Sequence, residues 1–365
     1  MKIECSIDKI KNALTTVSRL TGKNLTLPVL SSVLWSVENN NLILRATNLN
    51  IGIEIKIKTK TEESGVFAVK NEILFNFFQN IPNEQNVVFE NSGDSLKIKT
   101  KTNSTIIKTT PHEDFPTIPK VVGDSFLINS QRFIDGLKSV YYSSSISEIK
   151  PEIGSVYIYP QDDTLVYVAT DTFRLAEKRI KIKQNLVFDG VLIPYKNITE
   201  IIKVFDSLDG DLKITLQKNQ ISIESDGIYL TSRVVDGVFP DYKQIIPKES
   251  KTEIVVLKQD LIQALKISNV FSDKFNQISF CVKTKENVFK IDSKNIDTGE
   301  NSSYITSTIK GEDVDVFFNY KYVIDCFQST TADSLILKLD GPNKPMIIKQ
   351  VGDQSFLYLV MPMNK

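Results

Sequence analysis

Two periods of apolar and polar residues alternate along this chain. Ile51, Ile53, Ile55 and Ile57 are interleaved with Gly52, Glu54, Lys56 and Lys58, and Leu96-Lys97-Ile98-Lys99 repeats that period of two. Successive side chains of a strand point to opposite faces, so both stretches predict strands with one buried face. Elsewhere apolar residues recur three or four positions apart, as in Ser6–Val17, Asn129–Val140 and Lys258–Lys266. A second such set is Ile73-Leu74-Phe77-Phe78, Ile198-Ile201-Ile202-Phe205 and Val323-Ile324-Phe327. That spacing predicts six one-faced helices lying on something flat.

The helices come as one pattern written three times. Leu14, Leu137 and Leu265 align at separations of 123 and 128 residues, and the second helices follow at about the same interval. The strand and turn Leu42–Asn48 recurs as Leu165–Asp171, again 123 residues on. Turn signals at Asn91-Ser92-Gly93-Asp94, Ser207–Asp211 and Asp340-Gly341-Pro342 fall in corresponding parts of the three units. Each unit reads as an α+β layer domain with two helices on one face of antiparallel sheets. The links near Pro119–Gly123 and Pro247–Ser250 set the expected domains at residues 1–122, 123–248 and 249–365. Such short links favour a fixed array over tethered beads.

Composition narrows the function classes. The 365 residues carry 44 basic and 44 acidic side chains and are 41% hydrophobic, which excludes disordered and collagenous chains. Apolar runs are far shorter than the ~20 residues of a membrane span, and Met1–Thr21 has no apolar core or small-residue cleavage site, so a cytoplasmic location is expected. Cys5, Cys281 and Cys326 are odd in number and widely spaced, which fits reduced, buried thiols. His112, beside Pro111, is the single histidine and reads as a surface turn residue. There is no GxxxxGK[ST], GxGxxG or GxSxG string, so phosphate-cradling loops and the esterase elbow are missing. Asp313-x-Asp315 reads as a solvated strand face, and no metal or cofactor is expected.

Four strings then become specific: Leu25–Leu30, Val168–Ala176, Val235–Tyr242 and Tyr358–Met363. Together, in order and in register with the triple repeat, they closely resemble the bacterial DNA polymerase III beta subunit, the sliding clamp family. The resemblance implies a DNA clamp fold of three similar domains and a head-to-tail homodimer that closes a six-domain ring around duplex DNA. Helices would line the hole. It also implies a processivity factor without catalysis, with the replicative polymerase, the clamp loader and other proteins bearing clamp-binding peptides as partners, no membrane partner, and residence on the nucleoid during replication.

Sites follow from the helix pattern and the resemblance together. Lys196 and Lys203 lie two turns apart, opposite the apolar stripe of their helix, with Glu200 between them. With Lys9, Arg132, Lys138 and Lys266 they form the expected DNA-facing set, and the six helical segments hold 11 basic and 7 acidic residues. Modest, sequence-independent phosphate attraction suits a ring that slides. The resemblance carries a peptide-binding pocket onto Ile153, Thr170, Thr172, Phe173, Arg174, Leu175, Pro240, Ile245, Asn319, Tyr322, Leu359, Met361, Pro362 and Met363. Phe173 stands where the family often has His, and Gln244 where Arg is common. Ring closure is expected between an edge strand around Thr105, Ile106 and Ile107 and the region of Asn269, Val270 and Phe275. Two rival classes stay open at this level: a carboxylate-dependent hydrolase or nuclease, although the acids show no repeated motif, and a monomeric β-rich protein-binding scaffold.

Overall fold

The computed structural model describes residues 1–22, 27–82, 86–147 and 149–364. Leu25 and Thr26 of the first string, and Lys365, lie outside the described residues. Strand, helix, strands, helix, strands is the order in each third of the chain. The helices are α1 (Ile7–Ser18), α2 (Asn71–Asn80), α3 (Ser130–Val140), α4 (Tyr195–Phe205), α5 (Lys258–Val270) and α6 (Tyr320–Asp325). Their apolar stripes are buried: Ile10, Leu14 and Val17 on α1, Phe133 and Leu137 on α3, Ile198, Ile201 and Phe205 on α4. On α3, Gly136 lies so near Tyr167 that a Cβ would sit 2.5 Å from its ring, so glycine fits the helix to the sheet.

These elements form two compact units, Met1–Gln131 with Thr199–Val234 and Arg132–Ile198 with Val235–Lys365. The first contains an eight-stranded sheet in which Ile228–Arg233 pairs antiparallel with Ile51–Lys58. The isoleucines 51, 53, 55 and 57 are buried there, as the alternation requires. Beside it, a five-stranded sheet ends on the edge strand Ser104–Lys108. In the second unit a nine-stranded sheet is joined where Arg174–Lys181 pairs antiparallel with Asp353–Val360. A four-stranded sheet there ends on the edge strand Gly299–Tyr304.

The edges obey the repeat. Ile51–Lys58, Arg174–Lys181 and Gly299–Tyr304 begin 123 and 125 residues apart, while Ser104–Lys108, Ile228–Arg233 and Asp353–Val360 begin 124 and 125 apart. Two members of the first set pair with two of the second: Ile51–Lys58 with Ile228–Arg233, and Arg174–Lys181 with Asp353–Val360. The third member of each set, Gly299–Tyr304 and Ser104–Lys108, is left at a sheet edge.

The thiols are free, and burial pushes Cys5 up to about 12 and Cys281 up to about 11, which keeps both protonated at neutral pH. Cys281 corrects the expectation of three buried thiols, because it is only half-buried, with Sγ 3.3 Å from Asp292. Asp313 and Asp315 both face Lys283, at 3.8 and 3.6 Å.

Candidate peptide pocket and nucleic-acid face

The residues expected to form a pocket meet in the second unit, at the seam of the nine-stranded sheet. Leu175 stands opposite Leu359 in the ladder, and both are fully buried in one cluster with Val166, Val168, Leu192, Phe239 and Tyr242. Met361 packs against that cluster. Its N–H donates to the Phe173 carbonyl at 2.8 Å, and the Met363 N–H donates to the Phe317 carbonyl at 2.8 Å, so the chain end is tied on both sides. Pro240 and Ile245 stay exposed on the segment that Phe239 and Tyr242 anchor.

A tight turn presents the rim. The Asp171 carboxylate accepts the Phe173 and Arg174 N–H groups at 3.0 Å each, and the Thr170 hydroxyl donates to the Arg174 carbonyl at 2.7 Å while accepting from the Thr172 N–H at 3.1 Å. Thr172 has a left-handed φ of 78°, uncommon for a β-branched residue. The turn leaves Phe173 57% exposed, its ring stacked on Tyr322 with centroids 6.1 Å apart. Arg174 lies beneath, its guanidinium 4.9 Å from the Tyr322 ring centre, bonded to Asp171 (2.9 Å), to the Tyr142 carbonyl (2.7 Å) and to Asp325. Burial pulls the Arg174 pKa down, but Tyr358, Asp171 and Asp325 outweigh it and leave the net shift upward. Arg174 therefore acts as a charged strut under an aromatic rim. Its partners Tyr142 and Asp325 were missed in the sequence because no spacing rule links positions 32 and 151 residues away.

Two expected pocket residues are held by local hydrogen bonds. Ile153 lies outside the apolar cluster, in a loop where its carbonyl accepts the Ser145 N–H at 2.8 Å. Asn319 caps α6 by accepting the Lys321 N–H at 2.9 Å and donates to the Phe275 carbonyl at 3.1 Å. Below the segment carrying Pro240 and Ile245 is a buried carboxylate, Glu177, only 6% exposed. It accepts from Arg179 at 2.7 Å and from the Tyr242 hydroxyl at 2.5 Å, and Tyr242 also meets the Tyr159 hydroxyl at 2.7 Å. Burial, followed by the hydrogen bond to Glu177, pushes the Tyr242 phenol well up.

The basic helix faces are partly as expected. Lys9, Arg132, Lys196, Lys203 and Lys266 are exposed and Lys138 is half-buried. Lys203 pairs with Glu200 at 2.7 Å, which reduces its free charge. In the first unit a groove of about 870 Å³ is lined by Lys9, Arg19, Lys56, Lys58 and Lys203 with Asp226. Lys56 and Lys58 belong to the strand Ile51–Lys58, outside the helix faces on which the basic set was expected.

At the expected interface, Ile107 is corrected. It pairs opposite buried Leu96, shares that face, and is 5% exposed, whereas Ile106 is the outward residue at 68%. Thr105 is half-buried. Asn269, Val270 and Phe275 are exposed around the end of α5, and the free strand beside them is Gly299–Tyr304. The short polar run Gly299–Tyr304 gave little strand signal in the sequence.

Three family models match in succession: the N-terminal domain of the DNA polymerase III beta subunit over residues 1–119, its central domain over 127–241 and its C-terminal domain over 243–364. The chain belongs to the DNA polymerase III beta subunit family. It is 26% identical over 362 residues to the beta sliding clamp of Buchnera aphidicola, covering 98% of this chain and 97% of the relative. With that of Escherichia coli K12 it shares 25% over 370 residues, all of both chains. The DNA polymerase sliding clamp of Bacillus subtilis superposes with a TM-score of 0.95 at 21% identity, covering 100% of this chain and 99% of that one. The beta subunit of Thermotoga maritima gives 0.94 at 24%, with the same coverage. The fold is the three-domain DNA clamp fold. Among the described residues no helix is long and apolar enough to cross a membrane.

Proposed function

We propose that the chain is a sliding clamp: two copies join head to tail around duplex DNA and hold the replicative polymerase, the clamp loader and other peptide-bearing partners to it in the cytoplasm. It does no bond chemistry of its own. The observation that carries this reading is the pair of unmatched edges. Ser104–Lys108 and Gly299–Tyr304 are the third members of two strand sets whose other members pair within the chain. Joined across two copies, the five- and four-stranded sheets make nine strands, as many as the larger sheet of the second unit. A head-to-tail contact made twice closes on itself. Ile106 faces outward on the first of these edges, and Asn269, Val270 and Phe275 are exposed near the second.

The same reading takes residues 1–122, 123–248 and 249–365 as the domains, beside family-model spans of 1–119, 127–241 and 243–364. It makes Lys9, Arg132, Lys138, Lys196, Lys203 and Lys266 the DNA-facing cations, joined by Arg19, Lys56 and Lys58. Leu175, Leu359 and Met361 form the floor of the peptide pocket, and Phe173, Tyr322, Pro240 and Ile245 its rim. The experiment is retention on DNA. Protein loaded on nicked circular DNA should stay bound through a high-salt wash and leave once the circle is cut. Equal retention on linear DNA with free ends would reject encirclement.

A further inference from the structure

The turn that shapes the pocket rim occurs twice. In the first unit the Thr47 hydroxyl donates to the Ile51 carbonyl at 2.9 Å and accepts from the Leu49 N–H at 3.0 Å, and the Asn48 side-chain oxygen accepts the Asn50 and Ile51 N–H groups at 3.0 Å each. Leu49 has a φ of 75°. These are the bonds and the left-handed residue of Thr170–Arg174, reproduced 123 residues earlier. The neighbouring pieces are reproduced as well. Phe115-Pro116 precedes Phe239-Pro240 by 124 residues, and Ile228–Arg233 pairs with Ile51–Lys58 as Asp353–Val360 pairs with Arg174–Lys181. A groove of about 310 Å³ lies here, its lining including Leu49, Ile51, Pro116, Ile118, Thr231 and Arg233.

Its floor has different chemistry. Where Leu175 faces Leu359 in the other junction, Gly52 faces Thr231. A Cβ on Gly52 would stand 3.3 Å from Ile118, so the glycine lets Ile118 settle against the strand. Thr231 is 5% exposed and its hydroxyl has no hydrogen-bond partner. An unsatisfied buried hydroxyl costs stability that a ligand's polar group can recover. Among the described residues lining the groove, Arg233 carries the only charge. Apolar walls, one unsatisfied hydroxyl and one cation select an aliphatic side chain next to a carboxylate, held on an extended backbone.

We propose that this groove is a second peptide-docking site, taking an extended segment whose aliphatic side chain packs on Leu49, Pro116 and Ile118 and whose neighbouring carboxylate meets Arg233. The inference rests on the copied turn and the lining, so it stands or falls independently of the first pocket. The test uses the full chain with methyl-labelled Ile and Leu, titrated with the probe acetyl-Ala-Leu-Asp-amide. Saturable shifts at Leu49, Ile51 and Ile118 are expected, and they should persist in a variant lacking Met361–Lys365. Arg233→Glu, or Asn in place of the probe's Asp, should weaken them at least tenfold, and Thr231→Val should weaken them by a smaller factor. Shifts confined to Leu175 and Leu359 would overturn the second site and leave the first standing. Insensitivity to Arg233→Glu would also overturn it. Equal shifts with a short oligonucleotide, and none with the peptide, would reassign the groove to nucleic acid.

Discussion

Glu54 shows how single charges hold the first unit together. Burial raises its pKa, but hydrogen bonds from Lys120 at 2.5 Å and Arg45 at 3.0 Å outweigh it and hold the carboxyl below its ordinary 4.5. Lys120 also sits 3.7 Å over the Tyr229 ring, whose hydroxyl donates to the Pro119 carbonyl and accepts the Val121 N–H, so the interdomain link is pinned to the sheet. A depressed folded-state pKa gives stability that is present above the unfolded value and lost as pH falls through the folded one. The melting temperature of Glu54→Gln should therefore lie below that of the wild type at pH 7, and the gap should close below about pH 4.5. A gap that is constant from pH 7 to 3 would show that the ionised form is not what matters. At this scale the sequence was legible where local rules act. The strings holding Leu175 and Met361 meet in one apolar cluster, whereas Tyr142, Glu177 and Asp325 are brought in by tertiary packing that no local period encodes.

Elements were easier to read than their edges. Amphipathic spacing located the six helices of the described residues, because one apolar face per helix is a local property, and the isoleucines of Ile51–Lys58 revealed their strand for the same reason. Gly299–Tyr304 has no apolar alternation, since as an edge strand it meets solvent or another copy. That difference decides what an edge mutation does. Ile106→Lys adds a charge to an exposed position and removes apolar contact at the proposed seam without touching the sheet's own core. It should shift the mass by light scattering from near twice 41.2 kDa to 41.2 kDa, with circular dichroism unchanged. A dimer of undiminished stability would place the seam elsewhere. The last strand supports a second prediction. Removing Met361–Lys365 deletes the hydrogen bonds made by Met361, Met363 and Asn364 and one apolar wall while leaving the pairing of Arg174 with Val360 in place. Burying a Leu or Phe side chain is worth roughly 1.5–3 kcal/mol, so the affinity for a Gln- and Leu-containing clamp-binding peptide should fall at least tenfold. Unchanged anisotropy titrations with the truncated protein would exclude this pocket.

For the whole molecule the triple repeat was the most legible feature, because it needs only self-comparison. The charge balance was the least informative, since a net charge of zero conceals where the cations lie. On α4, Lys196 and Lys203 are both exposed and two turns apart, so replacing both by Glu reverses two charges of the proposed DNA face. The double variant should lower the slope of log affinity against log salt by about one to two while the protein stays dimeric. An unaltered slope would remove α4 from the DNA face. The two unmatched sheet edges have a kinetic consequence. A dimer closed through two identical seams can part at one while the other keeps the loosened edges within reach, at an effective concentration far above that in solution. Opening and reclosing then become first-order events whose rates do not change on dilution, whereas separation into single chains requires both seams to fail together and is opposed by a second-order return.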